Sequence, residues 1–144
     1  MTAEAGAAVT FEAAVPQFSV PDVVRTAEYY RDVLGFEIAS YWNGERAGFE
    51  TEPPPVFGVV RRGKIQLFFN RADGSETRTG RAEGAYDMYV RVTGIDALAA
   101  ELHRRGADII DGPEDKVYGQ RELVIQDCNG LILAFGEDMS HRTA

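Results

Sequence analysis

The sequence predicts an α+β fold of two tandem βαβββ modules, whose strands form a curved mixed sheet around a cavity with the helices outside. The stretch VPDVVRTAEYYRDVLGF at 20–36 returns in weaker form as VTGIDALAAELHRRGA at 92–107. Each copy leaves a strand, forms one helix and ends at a glycine before the next strand, which indicates a module used twice. Two more strand patterns follow in each half, so both halves have the order strand, helix and three strands.

The first module is assigned to residues 13–72, after a flexible arm over residues 1–12. Alternation of side chains predicts its first strand at 15–20. Asp22 is the expected N-cap of the helix that follows, because its carboxylate can accept from the free backbone amides of the first turn. Gly35 is the expected C-cap, since glycine adopts the left-handed conformation without strain.

Three strands are expected to complete this module. The three prolines in ETEPPP remove backbone donors, so a loop over residues 43–55 separates the first of these strands from a hairpin turned at Arg62-Gly63. A polar, glycine-containing linker is expected over residues 73–84. The three strands are predicted at 36–42, 56–61 and 64–70.

The second module is assigned to residues 85–137, followed by a tail over residues 138–144. Its helix is expected at about 95–105, and a loop at 112–119 precedes the closing hairpin, which turns at 127–130. Its strands are predicted at 86–92, 107–111, 120–126 and 131–136.

The strands have two different faces. One set of alternating residues is entirely apolar and is expected to pack under the helices: Phe18, Val20, Ile65, Leu67, Phe69, Met88, Val90, Val92, Leu131, Leu133 and Phe135. The opposite set mixes aromatic, amide and charged residues with apolar ones: Val15, Gln17, Ser19, Gln66, Phe68, Asp87, Tyr89, Arg91, Ile132 and Ala134. A concave pocket with a few convergent polar groups fits this mixture better than a solvated face or a second dry core.

Composition limits the classes of function. With 144 residues the chain has the size of one domain, and no apolar run is long enough to cross a membrane. The N-terminus lacks a signal-peptide pattern, so a cytoplasmic protein is expected. The single Cys128 excludes an internal disulfide, and a net charge of −8 without a dense basic cluster argues against nucleic acid.

The doubled unit, together with the phrases SVPDVVRTAEYYRDVLGFEI, YDMYVRV and YGQRELVIQDCNGLILAF, resembles the vicinal oxygen chelate superfamily, which includes glyoxalase I, bleomycin resistance proteins and extradiol dioxygenases. The resemblance spans about residues 15–137. It implies the fold, whereas the activity stays open because this fold carries isomerases, lyases, oxygenases and plain binding proteins.

The resemblance also implies where a metal would bind. The ligand positions of the family's metal enzymes fall on Val15, Gln66, Asp87 and Ala134, and two of these side chains have no donor atom. The two histidines do not replace them, because His103 lies in the second helix and His141 in the tail. No metal or other cofactor is therefore expected, and the implied similarity is closest to the bleomycin resistance branch, whose members bind a drug between modules, commonly across a homodimer.

The prediction is thus a homodimeric protein that binds a small, partly aromatic or cationic molecule in a metal-free pocket, with drug sequestration as one use. Aromatic walls permit stacking and a few polar groups orient the ligand. Tyr86 is a further aromatic residue near the proposed cavity. The candidate ligand-binding residues are Gln17, Trp42, Phe57, Gln66, Phe68, Asp87, Tyr89, Arg91, Tyr118 and Glu122.

Three alternatives stay open at this point. The chain can be a metal-dependent lyase, isomerase or dioxygenase of the same superfamily. It can be a metal-free enzyme in which Asp87 or Glu122 acts as a general base. It can also be a regulatory or structural domain whose sheet face meets another protein. Within the pocket, an ion pair between Asp87 and Arg91 is expected to have a mainly structural role.

Overall fold

The computed structural model describes residues 7–72 and 84–140. The predicted linker therefore lies, except for Gly84, outside the described residues, as do the first half of the arm and the end of the tail with His141. In the part of the chain that is described, no helix is long and apolar enough to cross a membrane. The elements are β1 (Gln17–Val20), α1 (Val23–Asp32), β2 (Glu37–Trp42), β3 (Ala47–Gly48), β4 (Phe57–Arg62), β5 (Ile65–Arg71), β6 (Met88–Arg91), α2 (Ile95–Arg104), β7 (Asp108–Asp115), β8 (Gln120–Gln126) and β9 (Ile132–Asp138).

The strands confirm two modules of the same topology. The first sheet has the order β1-β5-β4-β2-β3 and the second has the order β6-β9-β8-β7. In each sheet the first strand of the module runs parallel to the last strand, and the remaining pairs are antiparallel.

The predicted single curved sheet is divided in two. The first strand of each module pairs with its own module's last strand, β1 with β5 and β6 with β9, and each of these first strands ends the order of its sheet. The two sheets are therefore joined by side chains rather than by a continuous ladder of backbone hydrogen bonds.

The predicted helix-facing residues form the core. All eleven belong to one hydrophobic cluster with α1 and α2, eight of them buried and Phe18, Ile65 and Val92 partly buried against it. None of the opposite set belongs to that cluster of described residues. The alternation therefore assigned the faces of β1, β5, β6 and β9 correctly, because a strand turns successive side chains to opposite sides.

The predicted N-cap of α1 is confirmed, whereas the C-cap is Val33, two residues before the left-handed Gly35 that was predicted for this role. The Asp22 carboxylate accepts a hydrogen bond from the Arg25 amide at 3.0 Å, which caps the helix. Gly35 has a φ of 76°, and the amide of Phe36 donates to the carbonyl of Tyr30 at 2.9 Å. This bond ties the residue after Gly35 back to the last turn of the helix. The start of α2 is capped from another strand, since Glu137 Oε1 accepts from the amides of Gly94 and Ile95.

Two predicted loops contain strand. Asn43 Oδ1 accepts from the amides of Glu45 and Arg46, which tightens the turn so that the short β3 returns to pair with β2. In the predicted loop at 112–119, β7 continues to Asp115 and pairs with β8. Pro113 is accommodated because the register shifts between Asp111 and Glu114, and a proline at such an irregularity breaks no ladder bond.

A buried hydrogen bond joins the two modules. The Tyr30 hydroxyl on α1 donates to Asp127 Oδ2 at 2.6 Å, and Asp127 Oδ1 accepts from the amides of Asn129 and Leu131 in the β8–β9 turn. The side chain of Asn129 in turn donates to the Thr26 hydroxyl on α1 at 2.9 Å. Burial raises the pKa of Asp127, although the hydrogen bonds from Tyr30, Asn129 and Leu131 act in the opposite direction. Burial, with the nearby Asp127 charge, also raises the pKa of Tyr30, which keeps its hydroxyl a donor.

A second junction between the modules is ionic. Arg62 in the first module forms two hydrogen bonds with the Glu101 carboxylate on α2, at 2.9 and 2.8 Å, and also donates to the Leu34 carbonyl. Arg105 donates to the same carboxylate and to the Asp32 carbonyl at the end of α1. Bidentate, multiply bonded pairs of this kind fix geometry better than single surface ion pairs. The hydrogen bond from Arg62 lowers the pKa of Glu101.

Replacing Tyr30 by Phe is expected to lower the free energy of unfolding by about 1–3 kcal/mol, because it leaves the buried Asp127 without one donor. Tyr29→Phe is the matched control, since the ring of Tyr29 is only half-buried and its hydroxyl has no hydrogen-bond partner among the described residues. Urea unfolding, followed by circular dichroism, measures the free energy of unfolding of both variants. Equal stability of the two variants would show that the inter-module bond contributes nothing.

Candidate functional site

A buried carboxylate lies on the side of the second sheet that faces away from α2. Glu122 on β8 is only 2% exposed, and each of its oxygens accepts one tyrosine hydroxyl. Tyr89 on β6 donates to Oε2 at 2.7 Å, and Tyr118 in the β7–β8 loop donates to Oε1 at 2.6 Å. We call Glu122 with Tyr86, Tyr89 and Tyr118 the tyrosine–glutamate site.

The missing side chain of Gly136 makes this arrangement possible. Gly136 lies on β9, opposite Arg91 of β6 on one side and opposite Glu122 of β8 on the other. A Cβ at Gly136 would overlap the hydroxyl group of Tyr89. The tyrosine therefore lies across β9 and reaches Glu122 on the next strand because glycine leaves the surface of the sheet flat at that point.

The two tyrosine hydroxyls remain donors over the physiological pH range. The hydrogen bond to Glu122, assisted by burial, raises the pKa of Tyr118 to about 12. Burial, followed by the hydrogen bond to Glu122, raises the pKa of Tyr89 as well. Loss of either proton would place a phenolate against a carboxylate. Repulsion between these like charges is one reason why the pKa values of both tyrosines are raised.

Aromatic surface surrounds the carboxylate. The rings of Tyr86 and Tyr89 are 6.2 Å apart between centroids, and both side chains are 38% exposed. Tyr118 is 61% exposed and closes the site from the loop side. No Lys, Arg or His among the described residues forms an ion pair with Glu122. The carboxylate is thus held by two hydroxyl donors beneath an accessible aromatic surface, and the nearest cationic influence is that of Arg91 on the Tyr89 hydroxyl.

A second group of predicted residues lies on the first sheet. Trp42 of β2 is the cross-strand partner of Phe57 of β4, and the Phe57 and Phe68 rings are 5.2 Å apart. Gln17 of β1 is the register partner of Phe68 and accepts a hydrogen bond from Asn70 at 3.0 Å. These residues form an aromatic face across four strands, which we call the module-1 aromatic face.

The remaining predicted residues lie apart from both groups. Gln66 lines a gap of about 300 Å³ between the two sheets together with Tyr89 and residues 13–16. Asp87 Oδ2 accepts from the Ile132 amide at 2.9 Å, and thereby supports the pairing of the strands. Arg91 lines a different cavity on the helix side. Within residues 7–72 and 84–140 Arg91 has no ion-pair partner, so the expected pair with Asp87 is wrong. The candidate residues therefore occupy two sheet faces and their borders instead of one pocket.

The residues at the family's metal positions do not fit a metal ion. Val15 and Gln66 line the gap between the sheets, but only Gln66 has a side-chain donor atom there. Ala134 is fully buried and has no donor, and the Asp87 carboxylate is engaged by a backbone amide. Among the described residues no group of three or more His, Cys, Asp or Glu is placed to hold a metal. One amide oxygen and one carboxylate that already accepts a backbone amide are a poor ligand set for a divalent ion.

Sequence reasoning missed two residues that position the site. Gly136 was treated only as a strand end, although a glycine in an otherwise apolar strand is a signal for close approach of another group. Asp127 was treated as a turn residue, although its carboxylate ties the turn to α1. No pattern in the sequence could identify Tyr30 as its partner, because the two residues are distant in the chain.

The fold and the paired sheets define a two-module α+β protein of the glyoxalase type. The Glyoxalase/Bleomycin resistance protein/Dioxygenase superfamily matches residues 13–135, and the chain belongs to this superfamily. The predicted family and fold class are confirmed. No protein of curated function matches the chain by sequence.

Solved structures share the fold at low sequence identity. TioX from Micromonospora sp. ML1 is 18% identical, with a TM-score of 0.68 over 89% of this chain and 99% of that chain. TnmS3, an antibiotic binding protein from Streptomyces sp. CB03234, is 19% identical, with a TM-score of 0.61 over 90% and 99%. A glyoxalase-related enzyme from Clostridium phytofermentans is 19% identical, with a TM-score of 0.62 over 92% and 98%. The fold is thus shared by a binding protein and by an enzyme.

Replacing Gly136 by Ala is expected to displace Tyr89 from Glu122 and to lower the free energy of unfolding by about 1–3 kcal/mol, as overpacking does. Gly48→Ala is the matched control, because that strand glycine has open space around its Cα and an ordinary φ. Urea unfolding gives the stability, and the ultraviolet titration of the tyrosines reports on the hydrogen bond. A Gly136→Ala variant as stable as Gly48→Ala, with unchanged tyrosine titration, would contradict this geometry.

Proposed function

We propose that this chain binds a small organic molecule with a cationic group and an aromatic body, and that it does so without a metal ion. The tyrosine–glutamate site supplies the recognition. The cationic group lies over the tyrosine rings and is attracted by the Glu122 carboxylate beneath them. The gap between the sheets, bordered by Tyr89 and Gln66, gives the ligand's body room beside the site.

The charge of Glu122, which forms no ion pair among the described residues, is the observation that supports a cationic ligand. A carboxylate removed from water is costly unless an opposite charge or hydrogen bonds compensate for it. Glu122 has two hydroxyl donors but no cationic partner among the described residues. A ligand cation would supply the missing countercharge, so the site is complementary to a positive group and opposes a negative one.

The tyrosines support an aromatic ligand. Cations are held over aromatic faces with about 0.5–2 kcal/mol each, more when water is excluded. The exposed rings of Tyr86, Tyr89 and Tyr118 offer such faces and also permit stacking of a flat ring system. Because Tyr118 belongs to a loop, it can adjust to the ligand while Tyr89 stays fixed above Gly136.

Binding without metal is favoured by the donor set. The positions that hold the metal in the superfamily's metal enzymes offer only one amide and one carboxylate here, which is too few donors to support the alternative of a metal-dependent lyase, isomerase or dioxygenase. Stacking and charge attraction need no such centre. TnmS3, which shares this fold, is an antibiotic binding protein. Sequestration of an antibiotic-like cation is therefore the use that we propose, in the cytoplasm.

A homodimer is part of the proposal. When a flat ligand lies on the tyrosine–glutamate site, the sheet covers only one face of the ligand. The module-1 aromatic face exposes Trp42 at 40% and belongs to the other sheet of the chain. A partner subunit could place its own module-1 aromatic face over the ligand and complete a two-sided pocket. Sedimentation of a monomer at micromolar concentration, with or without ligand, would contradict this part.

The test compares two ligands of the same shape, N-methylacridinium and neutral acridine at pH 7.5, by calorimetric titration against the unmodified chain and Glu122→Gln. The substitution keeps the size of the side chain and removes its charge. Affinity for N-methylacridinium is expected to fall about tenfold or more, which corresponds to 1.4 kcal/mol. Affinity for acridine is expected to change less than about twofold, because stacking is retained.

Glu28→Gln is the control variant, since Glu28 is exposed on α1 and its replacement changes the net charge by the same amount. Bleomycin is titrated beside the acridines as a larger cationic ligand. Equal losses for the charged and the neutral acridine, an equal effect of Glu28→Gln, or no binding of any cation would contradict the proposal.

A further inference from the structure

A cavity lies on the helix side of the sheets, where the two modules meet. Its volume is about 470 Å³, within the range of small-molecule sites. The end of α1 and the β4–β5 turn form its wall in the first module, and β6 and α2 form its wall in the second. It is separate from the tyrosine–glutamate site, because Val90 and Phe135 in its floor belong to the core-facing set of side chains.

The floor of the cavity is apolar and rigid. Leu34, Phe36, Val90 and Phe135 line it, and all four are buried members of the hydrophobic core. Val92 and Leu98 extend the apolar surface towards the rim. Side chains fixed by core packing keep a concave surface open without a ligand, so a bound molecule would gain apolar contact at little cost in ordering the protein.

The rim of the cavity is cationic. Arg62, Lys64 and Arg91 line it, and Glu101 is the only carboxylate among its lining residues. Glu101 is already held by Arg62 and Arg105. Lys64 and Arg91 have no ion pair or hydrogen bond to another described side chain. Two cations without an ion pair among the described residues therefore border an apolar floor, Lys64 from the β4–β5 turn and Arg91 from the end of β6, in a chain whose net charge is −8.

We infer that this cavity is a binding site for a small organic acid with an apolar body, such as an alkyl or aryl carboxylate. The carboxylate lies between Lys64 and Arg91, and the apolar body lies on the floor formed by Leu34, Phe36 and Phe135. The ligand touches both modules, since Lys64 belongs to the first and Arg91 to the second. This site takes ligands of the opposite charge from those of the proposed cation site, although Lys64 also lines the gap beside that site.

Side chains rather than a helix end provide the recognition. Gly94, at the start of α2, lines the cavity, but its amide and that of Ile95 both donate to Glu137 Oε1. They are not available to an anion. Thr93 at the rim adds a hydroxyl that can donate to a carboxylate held by the two cations.

The test uses octanoate as the ligand, with octylammonium and 1-octanol as comparators of the same chain length. Calorimetric titration is expected to show saturable one-to-one binding of octanoate, weaker binding of octanol and none of octylammonium. Lys64→Gln and Arg91→Gln are each expected to weaken octanoate binding about threefold to tenfold, the range of one partly exposed charge contact. Both residues are on the rim, so the variants are expected to fold normally.

Arg104→Gln is the matched control, because Arg104 is exposed on α2, outside the cavity, and the substitution removes the same charge. It is expected to leave octanoate binding unchanged. Ala97→Phe keeps every charge but fills the cavity from the exposed face of α2, and it is expected to abolish binding. Absence of octanoate binding, equal affinity for octanoate and octanol, or full binding by Ala97→Phe would each overturn the inference.

Discussion

The buried hydrogen bond between Tyr30 and Asp127 is the contact on which the relation of the two modules depends. Each module forms its own sheet, so no backbone ladder fixes one against the other. The Asp127 carboxylate organises the β8–β9 turn through two backbone amides and binds α1 of the other module through the Tyr30 hydroxyl. The turn, the helix and the common core thereby become one unit. The Arg62–Glu101 pair provides a second, more exposed connection between the modules.

The structure has two surfaces of opposite electrostatic character. On the side away from the helices, the carboxylate of Glu122 lies beneath exposed tyrosine rings and favours cations. On the helix side, Lys64 and Arg91 flank an apolar floor and favour anions. The overall acidity of the chain does not distinguish these surfaces. The two surfaces differ in which charges lack an ion-pair partner. Among the described residues, Glu122 has no cationic partner on one surface, and the two rim cations have no anionic partner on the other.

The sequence was sufficient for the fold because local patterns determine it. Alternation identified the core face of four strands, and the start of α1 followed from Asp22. The candidate site was only partly predictable. Tyr89, Tyr118 and Glu122 were chosen individually, whereas their contact depends on the register of β6, β9 and β8 and on the missing side chain of Gly136. The division into two sheets, and with it the separation of Trp42 and Phe57 from these tyrosines, also depends on long-range pairing that no local pattern encodes.

Recognition of a cationic aromatic ligand without metal is the central claim, and metal content with ligand affinity tests it most directly. The protein would be purified without chelator, its metal content measured, and N-methylacridinium titrated before and after treatment with EDTA. The account predicts less than stoichiometric metal and the same affinity in both titrations. One equivalent of a divalent metal whose removal abolishes binding would contradict it and would place the chain with the metal-dependent members of its superfamily.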